Sequence, residues 1–320
     1  MIFKTEIQIL PFDFKISHQD KIMMTGSCFA ENMAGKIQSA GFRTYVNPFG
    51  ILYNPASISK NIQAILYSKK YAGSDLFEYQ GLYYSFDHHS KFSDSSQVDC
   101  IDKINKEVKY ANDYLKDASI LIVTFGTAFA YTLKKTGVVV SNCHKLPEKT
   151  FDRRRLSVNE IVEDWKYLII LLKQYNPDLK ILFTVSPIRH WKDGAHENQL
   201  SKSVLLLAID ELIKQYTHCY YFPSYEIMMD ELRDYRFYAG DMLHPSDLAI
   251  DYIWEKFSLA FFEKKTLALI DEWMKIKQAL DHKPFNPDSE QYKEFVFKTQ
   301  IKLKDFLSKN KDFVSSCLCV

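Results

Sequence analysis

The sequence predicts an α/β protein with a three-layer sandwich architecture, in which helices cover both faces of a parallel sheet. Short apolar runs alternate along the chain with stretches of helical periodicity, the pattern of repeated strand and helix units. The apolar runs are continuous, as expected of strands buried on both faces. With 320 residues, 47% of them hydrophobic and 25% charged, the chain is long enough for one large domain or a domain with an appendage.

Five apolar runs are predicted as the strands of this sheet. They cover residues 21–24, 44–46, 119–125, 180–185 and 218–222. Helices are predicted where apolar residues recur every three or four positions, at 29–40, 57–68, 102–116, 157–175, 197–216 and 248–257. Two insertions, at 79–92 and 132–141, are predicted as β-hairpins near the carboxyl edge of the sheet, where they would wall a cleft.

The last part of the chain differs in character from the rest. Beyond Phe262 the sequence is charged and helical, with breaks at Pro284 and Pro287. We therefore predict a main domain over residues 1–262 and a C-terminal helical extension over residues 263–320.

Charge and composition exclude several classes of protein. The net charge of +1 shows no electrostatic footprint for nucleic acid or for an anionic membrane surface. The chain has no run of 18 apolar residues and no signal-peptide pattern at its start, so we expect a cytoplasmic protein. Its six cysteines lack C-x-x-C spacing, which argues against a zinc site or a disulfide scaffold. Nothing in the sequence indicates an oligomeric state.

Ser27 lies between the first predicted strand and the first predicted helix. In open parallel sheets, ligands bind beyond the carboxyl ends of the strands, and a helix N-terminus there offers free N–H groups to negative charge. A serine at this point therefore occupies a position typical of a catalytic nucleophile. The alternative is that Ser27 is an N-cap whose hydroxyl accepts a backbone N–H.

Asp241 and His244 lie three residues apart in a loop before the last amphipathic helix. A carboxylate on one imidazole nitrogen fixes the tautomer and stabilises the imidazolium, while the other nitrogen can deprotonate a serine. The alternative is that Asp241 or Ser246 caps the helix and His244 is solvated.

The two motifs together resemble the SGNH (GDSL-like) hydrolase superfamily. Residues 26–30, Gly-Ser-Cys-Phe-Ala, match the signature of the GSCFA family within it. Further blocks of the family resemblance lie at residues 46–50, 87–90, 142–145, 186–190 and 241–245. The resemblance covers roughly residues 20–260.

The resemblance implies a flavodoxin-like fold and a serine esterase. Ser27 would be the nucleophile, His244 the general base and Asp241 its orienting carboxylate, with the backbone N–H groups of Ser27 and Gly50 as oxyanion donors. The substrate would be a carbohydrate or small-molecule ester, with acetyl as one candidate for its acyl group, and no cofactor is needed. Acyl transfer by the same triad, or glycan binding by a catalytically impaired scaffold, remains the alternative.

The chain departs from the superfamily in one block. A Gly-x-Asn sequence is expected after the third strand, but residues 126–128 read Gly-Thr-Ala. Loss of one oxyanion donor typically costs a rate factor of about a hundred to a thousand. Either Thr127 or another polar side chain substitutes for it, or the activity is weak. The other candidates are Asn142, which is favoured, with Asn47, Asn54 and His144.

The sequence also suggests roles for three histidines, one arginine and one cysteine near the predicted cleft. His88, His89 and His144 are expected to line the cleft, and their spacing does not favour a metal site. Arg189 either holds a substrate carboxylate or phosphate, or forms a structural pair with Asp193 or Glu197. Cys28 is a rival nucleophile, but its side chain is turned from that of Ser27 by about 100° along a helix, so the two cannot both face His244. The family resemblance favours Ser27 and implies that Cys28 lies in the core.

Overall fold

A computed structural model describes residues 4–313 of the chain. The strands are β1 (Lys21–Gly26), β2 (Arg43–Val46), β3 (Leu76–Tyr79), β4 (Leu82–Ser85), β5 (Ile120–Phe125), β6 (Phe129–Leu133), β7 (Val139–Val140), β8 (Phe151–Arg155), β9 (Lys180–Val185) and β10 (Cys219–Phe222). The helices are α1 (Cys28–Ser39), α2 (Pro55–Leu66), α3 (Gln97–Lys116), α4 (Val158–Tyr175), α5 (Gly194–Gln215), α6 (Ser224–Glu226), α7 (Asp247–Phe261), α8 (Lys264–Leu280) and α9 (Glu290–Lys309).

The central sheet has five parallel strands in the spatial order β10-β9-β5-β1-β2. Counted along the chain, this is the order 2-1-3-4-5 of flavodoxin-like folds. All five strands coincide with the predicted apolar runs, and both the fold class and the flavodoxin-like order are confirmed. The chain reverses direction across the sheet between β1 and β5, which is where such folds bind ligands.

Alternate residues of the central strands pack into two separate cores. Leu121 and Val123 of β5 belong to the core under α2, α3, α4 and α5, whereas Ile120 and Ile122 belong to the core under α1 and α7. Trp165 of α4 illustrates the first core, because its ring lies against Phe125 at 5.0 Å between centroids. The carboxyl ends of the strands are therefore held rigidly from both faces.

The inserted segments form two small antiparallel sheets. Strands β3 and β4 pair around Gln80 and Gly81, both with positive φ as a two-residue hairpin turn requires. Strands β6 and β7 form the second predicted hairpin, and β8 adds to the free side of β6. The sequence did not predict β8, because its residues Asp152 to Arg155 are charged and mostly exposed.

Helix α3 begins at Gln97, five residues before the predicted start. The Ser96 hydroxyl caps it by accepting the N–H of Asp99 at 3.2 Å. The periodic pattern starts later because the first turn of α3 buries no apolar side chain before Cys100.

Helices α8 and α9 account for the described part of the predicted C-terminal extension. They share a small core made by Trp273, Ile276, Phe306 and Phe313. The Trp273 indole donates a hydrogen bond to the Ser39 carbonyl at 2.8 Å, so this core also touches the end of α1.

Over residues 4–313, no helix combines the length and apolar character needed to cross a membrane. Cys28, Cys100, Cys143 and Cys219 are free thiols. Cys317 and Cys319 lie outside the described residues.

Candidate active site

Ser27 occupies the junction between β1 and α1. It is the N-cap residue of α1 by backbone position, but its side chain makes no capping hydrogen bond. Its Oγ is buried and has no hydrogen-bond partner among the described residues. The capping interpretation of the hydroxyl is therefore wrong, and the hydroxyl is left for another partner.

Gly26 makes this junction possible. Its φ is +140°, and a Cβ at this position would lie 2.2 Å from the Thr124 carbonyl oxygen of β5. Its N–H donates to Asn47 Oδ1 at 2.9 Å, which ties the end of β1 to the loop after β2. The glycine of the family signature is thus needed for close packing of two strands, next to the serine.

Asp241 and His244 form the predicted pair. Asp241 Oδ2 accepts a hydrogen bond from His244 Nδ1 at 2.6 Å. Asp241 Oδ1 accepts the backbone N–H groups of Leu243 and His244 at 2.9 and 3.0 Å. These backbone hydrogen bonds, with the imidazole, lower the pKa of Asp241 to about 2. Since Nδ1 carries the proton toward an ionised carboxylate, Nε2 of His244 is the nitrogen free to accept one.

The helix that follows is capped by another residue. Ser246 Oγ accepts the N–H of Ala249 at 3.4 Å, at the start of α7. Asp241 is therefore not the cap of this helix, and its carboxylate serves the histidine.

Ser27 and His244 line the same cleft, which has a volume of about 520 Å³. Thr127, Asn142 and Arg189 line it as well. Ser27 and His244 make no hydrogen bond to each other, which is common for catalytic pairs without substrate. Residues separated by more than 200 positions in sequence thus line one cleft at the carboxyl edge of the sheet.

A family model described as the GSCFA family matches residues 21–257. The chain belongs to the GSCFA family. A second model, the C-terminal domain of GSCFA domain proteins, matches residues 273–315, a range that begins in α8 and includes α9.

Two solved structures are similar to this GSCFA chain. One is the Clostridium thermocellum family 3 carbohydrate esterase, 11% identical, with 78% of this chain and 98% of that chain covered and a TM-score of 0.36. The other is an acetyl xylan esterase from the rumen bacterium Butyrivibrio proteoclasticus, 10% identical, with 79% of this chain and 64% of that chain covered and a TM-score of 0.39. The search of curated proteins gives no match.

The predicted oxyanion donor Gly50 is not in the cleft of this GSCFA chain. Its N–H donates to the Asn47 carbonyl at 2.8 Å, which closes a tight turn. A Cβ on Gly50 would lie 2.2 Å from the Cβ of His89, so the glycine is needed for close packing there. The assignment of Gly50 as an oxyanion donor is corrected accordingly: its N–H is already used.

Thr127 and Asn142 are the two candidates in the cleft for the absent oxyanion-hole asparagine, and they differ in which hydrogen-bonding groups remain free. The N–H of Thr127 donates to the Tyr53 carbonyl at 2.9 Å, and its hydroxyl lies 3.0 Å from Ser201 Oγ. Asn142 Oδ1 accepts the N–H of His144 at 2.8 Å, so the amide oxygen is already used. The side-chain NH₂ of Asn142 is the part that can donate to a substrate in the cleft.

The three histidines expected in the cleft lie elsewhere. His88 is fully buried against the Phe49 ring, and burial lowers its pKa to about 3. His144 is buried, with its Nε2 2.8 Å from the Ser85 carbonyl. His89 is not among the residues that line the cleft, and its Nδ1 accepts the N–H of Lys91. These residues support the inserted segments, so their assignment to the cleft is corrected.

Arg189 lines the cleft and is not the structural ion pair weighed above. Asp193 pairs with Arg153, and Glu197 pairs with Arg155 at 2.8 Å. The Nε of Arg189 is buried without a hydrogen-bond partner among the described residues.

Cys28 is half-buried: it packs against the core under α1 and α7 and also lines the cleft, so its predicted place in the core is correct only in part. Burial raises the pKa of its thiol above the ordinary value, which leaves less thiolate at neutral pH. The rival nucleophile is therefore close to Ser27 but poorly activated.

Sequence reasoning missed two residues of the site. His190 lines the cleft with a buried, unpartnered Nε2, and burial lowers its pKa to about 3, so it is neutral. Lys202 of α5 is completely buried beneath the cleft, where Nζ donates to the carbonyls of Gly126 and Ser186 at 2.6 and 2.7 Å. Burial lowers the pKa of Lys202 to about 7. Its spacing from Asn198 and Leu205, on the inner face of α5, was the signal that could have revealed it.

Among residues 4–313, no group of three or more histidine, cysteine or acidic side chains is arranged to hold a metal ion.

Proposed function

We propose that this chain is a serine hydrolase that removes acyl groups from carbohydrate or small-molecule esters through an acyl-serine intermediate. The observation that carries the proposal is the buried, unpartnered Ser27 hydroxyl, which shares a cleft with the oriented imidazole of His244. A structural serine at this position would use its hydroxyl to cap α1.

Ser27 Oγ attacks the ester carbonyl carbon while its proton passes to His244 Nε2. The tetrahedral intermediate collapses, the bond to the alcohol oxygen breaks, and the alcohol takes the proton from His244. Water then attacks the acyl carbon, gives a proton to the same nitrogen and releases the acid as Ser27 recovers its proton. The charge on the imidazolium is balanced by Asp241, which is ionised throughout because its pKa is lowered to about 2.

The oxyanion is stabilised at the start of α1 and by the wall of the cleft. The first N–H groups of an α-helix have no partner inside the helix and favour negative charge. Ser27 N–H lies 3.3 Å from the Thr124 carbonyl, a long hydrogen bond that a developing oxyanion can compete with. Asn142 supplies the side-chain donor, in the place of the superfamily asparagine.

The test compares Ser27→Ala with Cys28→Ala, its neighbour in the same cleft. Hydrolysis of p-nitrophenyl acetate should fall by about a thousandfold or more in Ser27→Ala and stay within a fewfold of the wild type in Cys28→Ala. A fluorophosphonate probe should label the wild type and Cys28→Ala, but not Ser27→Ala. Full activity in Ser27→Ala, or loss of activity only in Cys28→Ala, would refute the proposed nucleophile.

A further inference from the structure

Arg189 lies where two cavities meet. It lines the cleft that holds Ser27 and also a second cavity of about 480 Å³, which is bounded by the loop of Asp241 and by Tyr238. Trp191 is shared by the two cavities in the same way and is 51% exposed. A substrate with its ester at Ser27 can therefore extend past Arg189 into the second cavity.

Every other charged side chain that lines these cavities is paired. The pairs are Arg153 with Asp193, Lys192 with Glu148, Arg233 with Asp230, Asp234 with Arg236, and Asp241 with His244. Arg189 has no carboxylate within ion-pair distance in the part of the chain that the structure describes. Among the charged residues that line the two cavities, Arg189 therefore carries the charge that no ion pair balances.

The neighbours of the Arg189 side chain are neutral or cationic. The Trp191 ring lies 5.4 Å from the guanidinium carbon, and Tyr238 lines the second cavity together with Arg189. Lys202 is buried beneath the same cleft, and burial together with the charge of Arg189 lowers its pKa. A guanidinium with a buried, unpartnered Nε is costly to desolvate unless an anion completes its hydrogen bonds.

We propose that Arg189 binds an anionic group of the ester substrate, a carboxylate or a phosphate, and so selects acidic acylated molecules over neutral ones. A planar guanidinium can hold either group through two parallel hydrogen bonds. The exposed Trp191 ring beside it offers a surface on which a sugar ring stacks, so an acidic acylated sugar fits both features. This inference rests on the proposed ester hydrolysis at Ser27.

The first experiment measures kcat/KM for acetate release from three matched esters: an acetylated methyl glucoside, the corresponding glucuronide, and the corresponding glucoside 6-phosphate. The wild type should prefer the glucuronide, the phosphate or both by about tenfold or more over the neutral ester. Arg189→Met should lose about 10- to 100-fold on the preferred ester and little on the neutral one, with Arg189→Lys between the two. Lys192→Met, which removes a paired cation from the same cleft, should keep the preference.

A second measurement works without turnover of any of these esters. Methyl glucuronide or glucose 6-phosphate, but not methyl glucoside, should slow fluorophosphonate labelling of Ser27 in the wild type. The protection should be lost in Arg189→Met while the unprotected labelling rate is kept, which also shows that the variant is folded. Normal labelling of Ser27 with neither anion preference nor protection would overturn the role of Arg189 alone, whereas absence of labelling would count against the proposed hydrolase.

Discussion

Ser27 differs from the other serines that are N-cap residues of α-helices in the described part of the chain. The hydroxyls of Ser96, Ser157, Ser246 and Ser289 each accept a backbone N–H of the following helix. An N-cap hydrogen bond of this kind typically contributes about 1 kcal/mol to stability. Ser27 has the same extended backbone conformation but forgoes that contribution. Departures from a local rule are expected at functional sites, which supports its assignment as the nucleophile.

Replacement of Asp241 by asparagine tests the charge behind His244. Asn Oδ1 can still accept the N–H groups of Leu243 and His244, so the loop should be retained. The amide cannot balance the imidazolium, and we expect kcat for ester hydrolysis to fall by about 10³- to 10⁴-fold. The control is Asp247→Asn, an exposed acid at the start of α7, which should keep the wild-type rate. Near-normal turnover by Asp241→Asn would remove this carboxylate from the mechanism.

Lys202 makes stability depend on pH in a predictable direction. Its pKa is about 7 in the folded protein and near 10.5 in the unfolded chain, because burial disfavours the charged form. Between these values the unfolded chain binds more protons, so the free energy of unfolding rises with pH. The comparison is with Lys202→Met, which has similar length and no titrating group.

The difference in the free energy of unfolding, wild type minus Lys202→Met, should increase from pH 7 to pH 9. Urea unfolding of both proteins at pH 7, 8 and 9 measures this difference. The contributions of titratable groups that the two proteins share cancel in the subtraction. A difference that is constant over this range would show that Lys202 is not desolvated in solution.

At the scale of elements, strands could be predicted from sequence wherever burial on both faces makes them continuously apolar. Strand β5 is buried at every residue, and its predicted bounds are correct to within one residue. Strand β8 and the first turn of α3 could not be predicted in this way. Strand β8 depends on its pairing with β6, and the first turn of α3 depends on the Ser96 cap. Neither interaction produces a periodic pattern of hydrophobic residues in the sequence.

The junction between β1 and α1 tolerates only glycine at position 26. We expect Gly26→Ala to lower the free energy of unfolding by about 1–3 kcal/mol, because it forces an unfavourable φ and a clash with the Thr124 carbonyl. Gly35→Ala is the matched control in α1, because a Cβ there meets nothing within 4 Å. It should be neutral or stabilising by up to about 1 kcal/mol. Urea unfolding of both variants gives the comparison, and equal effects would contradict the packing argument.

At the scale of the whole molecule, the site could be predicted only in part. Ser27 and the pair of Asp241 and His244 were recognisable because each is local, and the family resemblance joined them. The N–H of Gly50 and the ring of His88 could not be assigned from sequence, since each is committed to a contact set by the tertiary structure. Lys202 is the opposite case. A lysine is expected on the surface, but the tertiary structure buries it beneath the cleft, where it hydrogen-bonds to two backbone carbonyls.

The C-terminal helices should stabilise the main domain through Trp273. Its ring is buried between Phe306 and Phe313, and its indole N–H bonds to the Ser39 carbonyl at the end of α1. Trp273→Ala leaves a cavity and an unpaired carbonyl, and we expect it to lower the free energy of unfolding by about 3–5 kcal/mol. Met274→Ala, at the next and 45% exposed position, should change it by less than about 0.5 kcal/mol.

Urea unfolding of Trp273→Ala, followed by circular dichroism and by fluorophosphonate labelling of Ser27, tests whether the C-terminal extension unfolds together with the main domain or independently of it. If the extension is one cooperative unit with the main domain, labelling and helical signal should be lost at the same urea concentration in Trp273→Ala. That is the expected outcome, because the Trp273 core reaches Phe313, whose ring lies over Gly41 at the end of α1. An early loss of helical signal with labelling retained would show instead that α8 and α9 unfold independently and do not support the site.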